Sequence, residues 1–313
     1  MKPKICFVIP QFGIMPGYVD FFIRTASYSA PMLDFVFFTD QPVQRIAQAP
    51  NVFFRKMTIQ EFMLLACRKL GFDFTISSAY KLCDIKPMYG LIFEDYIAGY
   101  THWGHCDFDM IFGNVNKLLS DYKFDEFDIF STQKIYASGP FLIFKNVEKV
   151  NRFFMNSPSW QYVLSHPQYQ GFDEAGDVIK ELWKGRDISE CPAKIHSMTH
   201  LLLNVELLKK LQIKVNMKEL ITEKFTEGTK ICFDQGKLFL QPANEELYIY
   251  HFMNRKNKTA FNEVLFNKET NTFTFSDKGF NTGNKVEFAV GLVLSLIKRY
   301  WIRLIRKIKS KFR

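Results

Sequence analysis

An α/β fold built on a mostly parallel central sheet with helices on its faces is what this sequence predicts, and three observations predict it. The first half alternates short apolar runs with stretches at helical spacing, the rhythm of βαβ units. A composition of 47% hydrophobic and 23% charged residues over 313 positions suits one large core. Polar and small residues fall where the apolar runs end, along the edge where open parallel sheets bind ligands.

The run Ile5-Cys6-Phe7-Val8-Ile9 is apolar throughout, as a strand buried on both faces requires, so the amino terminus is expected to be fold and not a targeting segment. Residues 17–28 read as a helix, and 35–39 and 52–55 as two more strands. Thr58-Ile59-Gln60-Glu61 is a capping box that opens a helix reaching about Leu70. Pro87 suits the first turn of a helix to about Tyr96, ahead of a strand over 103–106. Strands at 128–131 and 141–144 precede a helix over 147–155.

Past Met155 the pattern loosens into short helical pieces. A hairpin around Asp234-Gln235-Gly236, a strand over 248–252 and a second hairpin over 263–275 turning near Thr270-Asn271 complete the body. Gly and Asn residues cluster at 277–284. The expected organisation is therefore a single domain over 1–276, a linker over 277–284 and a terminal segment over 285–313.

Charge is distributed unevenly. Residues 285–313 hold nine Lys/Arg against one Glu, a local +8, which leaves +1 of the net +9 for all that precedes. A nucleic-acid binder spreads its basic footprint over a groove or stripe, so no nucleic-acid partner is expected. The apolar run 286–297 would rise only about 18 Å as a helix, short of the roughly 30 Å hydrocarbon core, so it should not span alone. Beyond it Trp301, Leu304, Ile308 and Phe312 recur at three- and four-residue steps, with Arg299, Arg303, Arg306 and Lys309 on other faces. That amphipathic helical tail fits an anionic membrane surface; the alternative is a helix docked on the body. The six cysteines show neither C-x-x-C nor zinc spacing and read as reduced thiols of a cytosolic protein.

The candidate chemistry starts at Asp107-Phe108-Asp109, after Trp103-Gly104-His105-Cys106. In extended backbone Asp107 and Asp109 share a face while Phe108 and Met110 turn inward. Two carboxylates suit Mg2+ or Mn2+, leaving positions open for substrate phosphates, although a solvated strand exit has the same spacing. Pro10-Gln11-Phe12-Gly13 is a strand exit where Gly13 lets backbone approach a nucleotide, or a plain turn. Asp40 could accept from a base or ribose, or form a turn. Lys81, Asp84 and Lys86 could meet phosphates before a helix, or form an ordinary polar helix entrance. Asp173-Glu174, between Gly171 and Gly176, are the candidate catalytic carboxylates; the alternative is an acidic helix start.

The pieces Ile9–Gly13, Phe38-Thr39-Asp40, Tyr80-Lys81-Leu82-Cys83-Asp84-Ile85-Lys86-Pro87-Met88-Tyr89-Gly90, Trp103–Gly113, Phe141–Asn146, Phe172-Asp173-Glu174 and Tyr250-His251 together resemble a bacterial family of glycosyltransferase-like proteins found among capsule and cell-surface polysaccharide enzymes. The similarity covers about residues 4–256. It implies a GT-A-like single domain that uses a nucleotide-sugar donor, UDP-linked by expectation, and a divalent cation, Mn2+ or Mg2+. It also implies His251 as a third metal ligand, with Arg255 and Lys256 meeting phosphate oxygens. Two places depart from the family pattern: Phe252-Met253-Asn254-Arg255-Lys256 replaces a more polar run, and Gly139-Pro140 replaces a polar step.

The function expected is transfer of a sugar to a lipid-linked or growing surface glycan by a peripheral enzyme on the cytoplasmic face of the cell membrane. The alternatives are a nucleotidyl or phosphosugar transferase and a catalytically inactive, membrane-docked binding protein.

Overall fold

The structure is a computed structural model, and it describes residues 4–42, 47–223, 228–253, 266, 270–276 and 279–282. Among these residues fifteen strands form three sheets. The strands are β1 (Ile5–Pro10), β2 (Leu33–Thr39), β3 (Val52–Lys56), β4 (His102–Cys106), β5 (Met110–Phe112), β6 (Ile129–Ser131), β7 (Phe141–Lys145) and β8 (Val215–Met217). They continue as β9 (Ile221–Thr222), β10 (Lys230–Asp234), β11 (Lys237–Gln241), β12 (Glu245–Leu247), β13 (Ile249–His251), β14 (Thr272–Ser276) and β15 (Gly279–Asn281).

The central sheet has the order β3-β2-β1-β4-β7-β6-β8. β3, β2, β1 and β4 run parallel, β7 opposes both its neighbours, and β6 is parallel to β8. This is the mixed, mostly parallel α/β architecture expected. β1 shows why its run is continuously apolar. Ile5, Phe7 and Ile9 enter one core cluster and Cys6 and Val8 enter another, so neither face of the strand meets water. Phe7 sits between Phe35 and Phe141 at ring separations of 5.2 and 4.7 Å, and burying a side chain of this kind contributes about 1.5–3 kcal/mol.

Helix α1 (Val19–Ala26) covers the first face and α2 (Ile59–Leu70) the second. The capping box at Thr58 and Glu61 is formed, and α2 stops at Gly71 in the left-handed conformation. Both ends therefore lie where the sequence marks them. The helix expected from Pro87 is instead a series of short turns: helical Leu82–Ile85, a 3-10 turn at Lys86–Met88, then Tyr89–Ile92 and Glu94–Ile97. Within them Gly90 is pressed against the Trp103 indole too closely for any Cβ. The helix expected over 147–155 is likewise split into Glu148–Asn151 and a 3-10 turn at Phe153–Asn156.

The second sheet, β12-β11-β10-β14-β15, contains the β10–β11 hairpin at Asp234-Gln235-Gly236 as expected. The second hairpin expected over 263–275 lies mostly outside the described residues; its later part is β14, which pairs antiparallel with β10 and with β15. Part of the expected linker is therefore strand. Phe280 of β15 is buried against Phe21 at 4.0 Å, which fixes residues 279–281 to the body. The third sheet, β5-β13-β9, is small and lies next to the end of β4. All six cysteines are free thiols. No helix among the described residues is long and apolar enough to cross a membrane, and the terminal segment 285–313 lies outside those residues.

Candidate functional site

The site begins where β4 ends. Asp107, Phe108 and Asp109 do not continue the strand; they form the short connection to β5, with the Asp107 amide held by the Pro140 carbonyl at 2.9 Å. Phe108 stacks on Tyr18, centroids 5.8 Å apart, and this fixes the connection between the two acids. β13 then runs antiparallel to β5 with His251 opposite Met110, and the Phe252 amide bonds the Asp109 carbonyl at 3.1 Å. The register alone carries His251 to the two acids across a long stretch of chain.

His251 Nε2 lies 3.4 Å from Asp109 Oδ1 and 3.5 Å from Asp107 Oδ2. It is buried, and these two carboxylates are what it faces. Nδ1 is 2.8 Å from Glu223 Oε1, and because an ionised carboxylate can only accept, Nδ1 donates and Nε2 is left facing Asp107 and Asp109. Burial works against a charged ring. The surrounding Asp109, Glu223 and Asp107 outweigh it and raise the His251 pKa to about 10.

These residues fit a divalent cation. One ligand atom from each of Asp107, Asp109 and His251 can be chosen so that all lie within 4.8 Å of one another. Neighbouring ligands on a cation at 2.0–2.1 Å sit about 3 Å apart, so the two His251 spacings of 3.4 and 3.5 Å need only a small contraction. An imidazole beside two carboxylates suits a divalent cation that accepts both nitrogen and oxygen ligands. Asp109 lines the cleft although it is only 1% exposed.

Lys86 connects this cluster to a second one. Its ammonium lies 2.7 Å from Asp107 Oδ1, 2.9 Å from the Gly139 carbonyl and 3.5 Å from Asp173 Oδ2. Burial again opposes charge, but Asp107 and Asp173 hold the Lys86 pKa well above its ordinary value. Asp173 also accepts from the Tyr169 hydroxyl at 2.9 Å. Burial pushes the coupled Asp173 and Glu174 carboxyls upward, Glu174 to about 7, with Lys86 opposing the rise in both. Gly139 makes room for this pair: a Cβ there would meet Glu174 Oε1 at 2.6 Å and Asp173 Oδ2 at 3.0 Å. The departure at Gly139-Pro140 is thus part of how the acids are seated.

A cleft of about 600 Å³ brings these groups together, lined by Pro10 at the end of β1, Gln11 just after it, Lys86, Asp107, Asp109, Asp173, Glu174 and His251. The remaining candidates go elsewhere. Phe12 is buried in the core and packs on Phe62 at 5.7 Å, so only its backbone belongs to the strand exit. Gly13, at φ +83°, gives its amide to Asp40 Oδ1 at 2.9 Å. Gln41 and that amide hold the exposed Asp40 carboxyl below its usual range, and Asp40 faces a separate open recess with Arg55 and Lys56.

Lys81 and Asp84 are a correction. Both are fully buried, paired at 2.8 Å; the Lys81 ammonium also meets the Val163 and Gln168 carbonyls, and Asp84 accepts from the Gln170 and Phe172 amides. They brace the 163–172 segment and have no group left for a phosphate. Arg255 and Lys256 lie outside the described residues. The sequence reading missed Glu223 and Tyr169, which orient His251 and Asp173 and carry no local motif.

None of the curated proteins is detectably similar to the chain in sequence. Among solved structures, mouse xyloside xylosyltransferase 1 in its apo form has 8% identity and a TM-score of 0.40, covering 80% of this chain and 98% of its own. The galactosyltransferase LgtC in complex with donor and acceptor sugar analogues has 11% identity and a TM-score of 0.29, over 51% of this chain and 64% of its own. A197 from STIV has 9% identity and a TM-score of 0.26, over 78% and 93%. At the level of sequence a single profile spans residues 7–284, nearly the whole described body and both acid clusters, and by that match the chain belongs to DUF6625, described as a family of unknown function.

Proposed function

We propose that the protein is a metal-dependent glycosyltransferase of the GT-A type, moving a sugar from a nucleotide donor, UDP-linked, to a glycan acceptor. One observation carries the reading. A buried histidine nitrogen faces two aspartates at 3.4 and 3.5 Å, in a cleft that also holds the Asp173–Glu174 carboxylate pair.

Asp107, Asp109 and His251 would hold the cation. When bound, it supplies Lewis-acid stabilisation of the charge on a departing diphosphate. The other roles belong to the chain itself. Glu223 fixes the His251 ring so that Nε2 faces the acids. Lys86 keeps one oxygen of Asp107 occupied and leaves the other toward His251. Glu174, with a pKa of about 7, can take or give a proton at its carboxylate near neutrality, which suits the acceptor hydroxyl. Asp173 stays fixed between Tyr169 and Lys86. Arg255 and Lys256 complete the phosphate contacts in this reading. The basic segment 285–313 places the enzyme on the cytoplasmic face of an anionic membrane, next to a lipid-linked or growing surface glycan.

The test is calorimetry of UDP binding with and without Mn2+. The wild-type protein should bind UDP in a cation-dependent way, and a folded Asp109→Asn variant should lose that dependence. Unchanged cation-dependent affinity in the variant removes Asp109 from the site and the reading with it.

A further inference from the structure

Tyr80 is 63% exposed yet firmly placed. It lies in the 3-10 turn Ala79–Lys81, anchored by the buried Lys81–Asp84 pair. Its ring meets Tyr169 edge-on, centroids 4.7 Å apart with 68° between the planes. The Tyr169 hydroxyl bonds Asp173, Asp173 faces Lys86, and Lys86 holds Asp107. Tyr80 is therefore the outer end of a row of contacts that finishes at the proposed cation site. Both tyrosines line the same cleft.

An aromatic face held open to water beside reactive carboxylates suits a partner that is apolar on one side and polar at its rim. A pyranose ring has that character, with C–H groups on one face and hydroxyls around the edge. A nucleobase is the competing planar partner. Position decides between them: Tyr80 is coupled through Tyr169 to Asp173, at the acid end of the cleft, whereas the base of a nucleotide-sugar lies a ribose and two phosphates from the reacting carbon.

We propose that Tyr80, backed by Tyr169, is the platform on which a pyranose ring of the acceptor stacks, presenting a hydroxyl to the Asp173–Glu174 pair. The inference rests on the transferase reading and adds the subsite and its ligand class.

The test is saturation-transfer NMR on the full chain with a mixture of methyl α- and β-pyranosides of glucose, galactose and mannose, run without nucleotide and with Mg2+ and UDP. Transfer to ring C–H protons is expected in the wild type and in Tyr80→Phe. In Tyr80→Ala it should fall at least fivefold, with Mg·UDP affinity by calorimetry within twofold of wild type and an unchanged circular dichroism spectrum. Three results overturn the platform: no transfer to any pyranoside, transfer unaltered in Tyr80→Ala, or a fivefold loss of Mg·UDP affinity in that variant, which assigns the ring to the base. Failure of the transferase reading has a different signature, absence of Mg·UDP binding by the wild type, and the nucleotide-free arm then still decides the platform.

Discussion

Cation binding should expel close to one proton per site at neutral pH. In the cation-free protein His251 stays protonated up to about pH 10, because Asp109, Glu223 and Asp107 outweigh the cost of burying the charge. A coordinating imidazole must be neutral, so a cation competes with that proton. Apparent affinity should therefore rise about tenfold per pH unit, and at pH 7 it should be roughly a thousandfold below its high-pH limit.

Stability shows the complementary sign. A pKa raised from 6.5 to about 10 contributes stability that is complete below the unfolded value and is lost as pH climbs through the folded one. At about 1.4 kcal/mol per pH unit the contribution is roughly 5 kcal/mol. The cation-free protein should thus melt lower as pH rises from 6.5 toward 10, while protein saturated with Mn2+ should not share that decline. Titration of Mn2+ at pH 6.5–8.5 in buffers of different ionisation enthalpy counts the protons directly. Zero protons released and an affinity flat over that range would refute a protonated His251 between the two acids. His251→Gln should abolish the slope and leave weak binding by the carboxylates.

Three further outcomes follow from particular contacts. Gly139→Ala sets a methyl group 2.6 Å from Glu174 Oε1 where ordinary contact begins at 3.4 Å, so the acid must withdraw by about 0.8 Å; donor turnover should fall on the order of a hundredfold with Mn·UDP affinity retained, and turnover at the wild-type rate takes Glu174 out of the reaction. Lys81→Met leaves Asp84 buried without its cation and should cost about 3–5 kcal/mol in urea denaturation while sparing nucleotide affinity per folded molecule; a nucleotide-specific loss at unchanged stability reverses the assignment of this pair as a brace. Removing residues 285–313 should abolish flotation with anionic vesicles and keep Mn·UDP binding, each cation near the surface being worth about 1 kcal/mol and screened by salt; full-length protein that ignores such vesicles at low salt ends the membrane reading.

What could be read from the sequence was local. Strands buried on both faces announce themselves as unbroken apolar runs, and β1 and β2 lie where those runs do. The ends of α2 were legible because Thr58, Glu61 and Gly71 each satisfy or terminate backbone groups by local chemistry. Asp107 and Asp109 stood out for the same reason.

What failed depended on partners distant in sequence. Lys81 and Asp84 form the same polar pattern whether they meet solvent or, as here, the 163–172 segment. Glu223 follows a two-residue strand with no spacing to mark it, and only the parallel pairing of β9 with β13 brings it to His251. The helix expected over 87–96 is a series of turns, one of which seats Gly90 against the Trp103 indole, a partner the local pattern does not show.

The β5–β13 register also sets a timetable. Asp109 leaves the ribosome about 140 residues before His251, so at common synthesis rates of 5–20 residues per second the acids wait roughly 7–30 s for their imidazole. β1, β2, β3 and β4 precede Asp109 and β6, β7 and β8 follow during that interval, while the strand that carries His251 does not yet exist. A nascent or prematurely terminated chain can therefore build much of the scaffold and still lack the full ligand set. In the proposed reading, cation binding waits on β13, the strand that carries His251, by which point all seven strands of the central sheet have been made.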